Sequence, residues 1–293
     1  MIKNSLIIIL SFLVFGCNLN NEVSDACGNF EAETVIVSSE SSGKIIQMNV
    51  AKGQKTDTGF LSIIIDTTQI SLKLNQITAQ KKAVISRKEG INAQIDVFRE
   101  QIKNLEVNKI RIEDMLNDGA ATQKQYDDIT GQIAVIDKQI ANTKTRFTSI
   151  TRELEVLEAQ KALTADMLSR CKVKSPLEGT VLETYAEQGE FVAPGKPLYK
   201  MADLETLILK VYISGAQLSE IKTGQEVEVI IDKSATENQT FKGEVKWISP
   251  EAEFTPKIIQ TKEERVKLVY AVKVNVKNDG TLKIGMPGEI NWH

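Results

Sequence analysis

Residues Ser42–Asp66 read SGKIIQMNVAKGQKTDTGFLSIIID, and Glu178–Asp203 read EGTVLETYAEQGEFVAPGKPLYKMAD. Glycines stand at Gly43, Gly53 and Gly59 in the first stretch and at Gly179, Gly189 and Gly195 in the second, with the same spacing. Between them lie short alternating runs such as Lys44–Val50 and Thr180–Ala186, which predict β-strands closed by glycine turns. Glycine suits such turns because it reaches positive φ without steric cost. Three glycines in register with matching strands mark a repeat. One small β-unit is written twice, over 42–66 and 171–203.

What separates the halves differs in kind. From Thr67 to Arg170 there is no proline. Ile70, Ile77, Val84, Ile91, Phe98, Leu105 and Ile112 recur every seventh residue, and Leu74, Ile95, Ile102 and Leu116 fill most of the intervening seam positions. Lys81, Lys88 and Lys109 interrupt that second row. The pattern resumes with Ile129, Ile136, Ile150 and Leu157 in one row and Ile133, Ile140, Phe147, Leu154 and Leu168 in the other. Sustained heptads of this kind specify a coiled coil. Asn117-Asp118-Gly119 ends the first helix with C-terminal chemistry. Thr122 then caps the second, with Gln125 completing a capping-box pattern. Residues 67–170 are therefore predicted to form one antiparallel helical hairpin, each arm about 75 Å long at 1.5 Å per residue.

After the second half-motif come Leu207–Ile213, a strand rich in β-branched residues, then Glu226–Ile231 and Thr240–Ile248. Val266–Val276 alternates, turns at Asn278-Asp279-Gly280, and is read as returning through Leu282–Ile290. Short strands at this spacing predict a small antiparallel β-barrel over 204–293.

Composition narrows the function. A formal net charge of −3 supplies no basic field for nucleic acid. The single histidine is His293, at the chain end, so histidine-centred catalysis and most zinc sites lose their usual residue. No constellation of nucleophile, base or metal ligands stands out, and Asp127-Asp128 reads as helix N-terminal charge. Catalytic residues, cofactor and metal are all expected to be absent. At the N-terminus Lys3 precedes the apolar run Leu6–Phe15, broken only by Ser11 and too short to span a bilayer as a mature helix. The run ends in Val14-Phe15-Gly16-Cys17, which resembles a bacterial lipobox, with Phe15 larger than usual at its position. Residues 1–16 then form a signal peptide, and Cys17 becomes the lipidated N-terminus, holding the protein at a membrane surface. Cys27 and Cys171 sit at the edges of different domains. A disulfide is allowed in an exported protein, but their placement favours two unpaired thiols.

Two half-motifs of a biotinyl/lipoyl-like β-domain, split by a long hairpin, resemble the haemolysin D-type (HlyD-like) membrane fusion proteins over nearly the whole chain after the leader. The resemblance implies an elongated α+β protein. Residues 17–41 would be an anchor, linker and first strand, 42–66 plus 171–203 a split lipoyl-like domain, and 67–170 an inserted hairpin. Residues 204–293 would be a barrel, closed by a motif that Gly285-Met286-Pro287-Gly288 resembles. It further implies a lipid-anchored periplasmic adaptor and not an enzyme, linking an inner-membrane transporter to an outer-membrane channel, and a homo-oligomeric ring in the assembled complex. A lipoyl carrier needs a modifiable lysine in the turn between its halves. The hairpin occupies that junction, so neither lipoate nor biotin is expected.

The resemblance also points to a site. Family tips that dock the channel carry arginine, leucine four residues later and serine seven further on. Here Arg111, Met115 and Thr122 stand at those spacings. Arginine forks onto carboxylates or carbonyls, methionine is an adaptable apolar knob, and Gly119 allows close backbone approach. Arg111 also reads as a solvated arm residue and Thr122 as a cap alone. The segment Glu253–Val269, EFTPKIIQTKEERVKLV, resembles adaptors of ABC-type exporters, and it also reads as a solvated charged loop. Little sequence follows Gly288 to build a membrane-proximal domain. The barrel is therefore expected to meet the pump directly, which disfavours large proton-driven pumps. The rival function is a stand-alone surface or periplasmic lipoprotein that uses the coiled coil as a spacer.

Overall fold

The computed structural model describes residues 24–234, 237–254 and 268–292. The repeat seen in the sequence builds a β-domain whose halves exchange strands. The first half supplies β2 (Thr34–Ser38), β3 (Gly43–Met48), β4 (Lys55–Thr56) and β5 (Leu61–Ile65). The second supplies β6 (Lys172–Lys174), β7 (Gly179–Thr184), β8 (Phe191–Val192) and β9 (Pro197–Ala202). They form two sheets ordered β2-β9-β7-β4 and β6-β5-β3-β8, so each sheet draws strands from both halves. The hydrogen bonds repeat in the same way. Gly53 donates to Val181 at 2.8 Å while Gly189 donates to Ile45 at 2.9 Å, and Gly59 donates to Ser175 as Gly195 does to Ser39, both at 2.8 Å. Gly53, Gly59, Gly189 and Gly195 all have positive φ, as these turns require. The twinned partners Ser39 and Ser175 lie ahead of the first glycines. The repeat therefore begins earlier than residue 42, and β2 is the counterpart of β6. Ile45, Ile63, Ile65, Val181, Leu198 and Met201 bury completely between the sheets.

Between β5 and β6 the chain leaves as α1 (Thr68–Asn117) and returns as α2 (Gln123–Arg170). Ile77, Val84 and Ile95 of α1 and Ile129, Ile140 and Leu157 of α2 are the buried apolar residues of the seam. The lysines that interrupt the heptads each find a partner across it. Lys81 pairs with Glu158, Lys88 lies 4.8 Å from the Phe147 ring centroid, and Lys109 lies 5.5 Å from that of Tyr126. Their aliphatic stems cover the seam while the charges reach its rim. Gly90 and Gly131 are helical residues with open space around them, and neither breaks its arm.

The third unit is a closed barrel of β1 (Ala26–Glu31), β10 (Thr206–Ser214), β11 (Glu226–Asp232), β12 (Asn238–Ile248), β14 (Leu268–Lys277) and β15 (Pro287–Asn291). The strand order is β10-β1-β15-β11-β12-β14, with β14 pairing back onto β10, and the short β13 (Glu253–Phe254) lies beside β14. Two readings of the sequence change here. The stretch read as linker with one strand holds two, and β1 belongs to the barrel, wedged between β10 and β15. Phe30 is fully buried in the barrel core. Gly28 faces Gly288 across the ladder, and a Cβ on Gly28 would fall 1.8 Å from the Lys210 carbonyl oxygen. Nor does β14 turn back on itself to pair with Leu282–Ile290. Leu282 plugs the core from a loop, and only Pro287–Asn291 is strand, paired with β1 and β11. Asn278 fastens that loop through Nδ2, donating to the carbonyls of Leu204 at 2.8 Å and Leu282 at 3.3 Å. Among the described residues no helix is long and apolar enough to cross a membrane.

Candidate functional site

The hairpin tip is assembled by two helix ends. At the end of α1 the carbonyl of Met115 accepts from Ala120 at 2.8 Å and Ala121 at 3.1 Å, and Gly119 sits at φ 73° in the left-handed region. That closure satisfies carbonyls the last turn would otherwise leave open. At the start of α2, Thr122 Oγ1 accepts from the Gln125 backbone N–H while Gln125 Oε1 accepts from the Thr122 N–H at 2.8 Å. Oε1 also accepts from the Thr122 hydroxyl at 3.0 Å, so this hydroxyl is already engaged as a cap. Asp127 accepts from Gln123 at 2.8 Å. Tyr126, which the sequence reading passed over, braces the tip by receiving Lys109 across the arms.

Arg111 and Met115 stand outward on the last turns of α1. Met115 is 48% exposed, and Arg111 has no ion-pair partner among the described residues. Gly119 has nothing within 4 Å of the position a Cβ would take. The tip thus offers a free guanidinium, an apolar knob and bare backbone. It is chemically equipped for recognition, at the end of the arm farthest from both β-units.

The chain is 23% identical over 324 aligned positions to a Yersinia enterocolitica UPF0194 membrane protein, covering 98% of this chain and 96% of that one. MacA from Actinobacillus actinomycetemcomitans superposes with a TM-score of 0.59 at 22% identity, over 92% of this chain and 78% of MacA. The periplasmic adaptor protein EmrA superposes with a TM-score of 0.50 at 16% identity, over 92% of this chain and 98% of EmrA. The chain has the fold of the HlyD-like membrane fusion proteins. No family model matches it.

Within this membrane fusion fold, the remaining candidate residues fall in different places. Cys17, the leader before it and His293 lie outside the described residues, as does 255–267 of the charged segment Glu253–Val269. Cys27 is exposed on the barrel and Cys171 is buried at the hairpin root, and both are free thiols. Where the split domain meets the barrel, Lys55 bridges Glu178 at 3.1 Å and Glu205 at 2.9 Å. Hydrogen bonds to Glu205 and then Glu178 hold its ammonium well above the usual lysine range. This contact ties the two β-units of the fusion fold across a cleft rimmed by Leu182, Asn278 and Ile284.

Proposed function

We propose that this protein is a lipid-anchored periplasmic adaptor that links an inner-membrane exporter to an outer-membrane channel. Arg111, Met115, Gly119 and Thr122 form its channel-docking tip, and Cys17 carries the lipid. The observation that carries the reading is the tip. An arginine without an ion-pair partner among the described residues and an exposed methionine flank a glycine turn at the end of arms about 75 Å long. EmrA, which shares the fold, is a periplasmic adaptor protein, and the charged segment Glu253–Val269 favours an ABC-type exporter as the inner-membrane partner. A small contact repeated by several copies around a channel gains strength through multivalency. Thr122 acts mainly by holding the turn, leaving Arg111 and Met115 as the contacting side chains.

The test is Arg111→Asp. Folding should be nearly unchanged, because exposed substitutions usually cost within about 0.5 kcal/mol. Export should fall to background, and cross-linking between tip and channel should vanish while cross-linking between barrel and exporter persists. Normal export by a normally folded variant would overturn the tip assignment and favour a lipoprotein using its coiled coil as a spacer.

A further inference from the structure

The outward face of α1 changes character as it nears the tip. One row of that face, taken every seventh residue, reads Asn75, Lys82, Glu89, Asp96, Lys103 and then Ile110. All are exposed, and Ile110, the one apolar member, is 59% exposed. Val107, one turn back, is 46% exposed, and Met115 lies one turn beyond Arg111. Residues three and four apart are neighbours on a helix surface, so Val107, Ile110, Arg111 and Met115 form one continuous patch. Val97, the next exposed aliphatic back along the arm, has Glu100 and Gln101 for neighbours and stands alone.

Single exposed aliphatics are ordinary, but the setting of this group is not. The other neighbours of Ile110 at helical spacing are Glu106, Glu113 and Asp114. All three are exposed, and none has an ion-pair partner among the described residues. Lys109, the nearest seam lysine, is turned across the arms toward Tyr126. Bare apolar surface ringed by carboxylates gains nothing within this chain. The other arm has no counterpart, since the first exposed large aliphatic of α2 is Val135, about three turns from the tip. The patch is one-sided.

We infer that the channel grips the outward side of α1 over residues 107–115, taking Val107, Ile110 and Met115 into an apolar groove that has a basic rim and an oxygen acceptor facing Arg111. The inference rests on the tip reading and adds to it a side, a contact length of about 12 Å and a partner chemistry. Apolar anchors at i, i+3 and i+8 along one helix face suit a hydrophobic groove. Cations on the rim of that groove would answer Glu106, Glu113 and Asp114, setting direction and approach rate. Arg111 supplies the single charge of opposite sign, so the contact cannot be reversed end for end without placing like charges together.

The experiment places a photoactivatable benzophenone side chain at single positions of the full chain in exporting cells. The positions are 107, 110 and 115 on α1, and 124 and 128 on the exposed side of α2. Adducts of one mass, retained in the outer-membrane fraction, are expected from the three α1 positions and not from the two on α2. Val107→Ser with Ile110→Ser should cut the adduct at 115 at least about tenfold with helical circular dichroism unchanged, and Ile110→Val should keep it. Glu106→Lys with Glu113→Lys should lower it to a similar degree, because both charges then face a basic rim. An adduct at 115 without those at 107 and 110 would keep the tip and overturn the groove. No adduct at any position would remove the tip reading and the groove together. Equal adducts from both arms, adducts at 107 and 110 that join two copies of this chain, or full adduct yield from either double variant would each overturn the inference.

Discussion

The hairpin and the barrel solve the same problem by opposite means. The barrel gathers strands from both ends of the chain, and its core residues Phe30, Leu209, Val229, Val274 and Ile290 are completely buried. The hairpin has a single seam, in which Ile77 and Val84 are well covered but Ile140 and Leu157 keep 9% of their surface and Leu105 is half-buried. A closed core loses a great deal when one member is removed, because its neighbours cannot collapse onto the gap. A seam two helices wide resembles a line of nearest-neighbour contacts, in which damage stays local.

The chain supplies separate probes for the two regions. Trp247 and Trp292 both lie in the barrel, so tryptophan fluorescence follows it, while helical circular dichroism follows the arms. The largest effect is expected from Phe30→Ala, which should cost about 3–5 kcal/mol of barrel stability. In urea the fluorescence transition should move and the helical signal should lag behind it. Coincident transitions would mean that barrel and arms unfold as one unit, and the contrast would fail.

Leu105→Asp should act in the reverse sense. Removing a seam aliphatic forfeits about 1.5–3 kcal/mol, so helical signal should be lost at lower temperature while the fluorescence transition stays in place. An unchanged helical melt would show that the seam does not run through Leu105.

The smallest effect concerns acid. A hydrogen bond and charge from Lys81 hold the Glu158 carboxyl below its usual value of 4.5. A depressed carboxylate stabilises the fold above its unfolded pKa, and that stability is lost as pH falls through the lower folded value. The helix melting temperature should therefore decline as the pH drops below 4.5, and Lys81→Met should flatten the decline. An identical acid profile in the variant would remove Lys81 from the account.

Local regularities were legible in the sequence and distant pairings were not. The heptads announced the arms, and the register-matched glycines announced a split domain, because each needs only periodicity or turn chemistry. The seam lysines looked like interruptions. In an antiparallel hairpin, partner positions sum to a near-constant number, and Lys81–Glu158, Lys88–Phe147 and Lys109–Tyr126 obey that rule, so the signal was available. Ser39 and Ser175 were hidden because the residues around them differ while their backbone roles agree. Strand β1 was hidden for a stronger reason. Its segment is short and glycine-bearing, and its partners lie at the other end of the chain. At the tip, residue type and spacing drew attention to Arg111 and Thr122, but the sequence did not reveal that Gln125 already engages the threonine hydroxyl.

The hairpin begins and ends on neighbouring strands. β5 pairs with β6, and Ile65 donates to the Cys171 carbonyl at 2.9 Å, directly beneath the helices. The β-domain is thus closed at the point where the arms depart, and their length places no demand on it. An insertion or deletion of one heptad in each arm would leave the seam in register and move the tip by about 10 Å. Reach can therefore change over evolution in discrete steps, while the rest of the molecule is inherited unaltered.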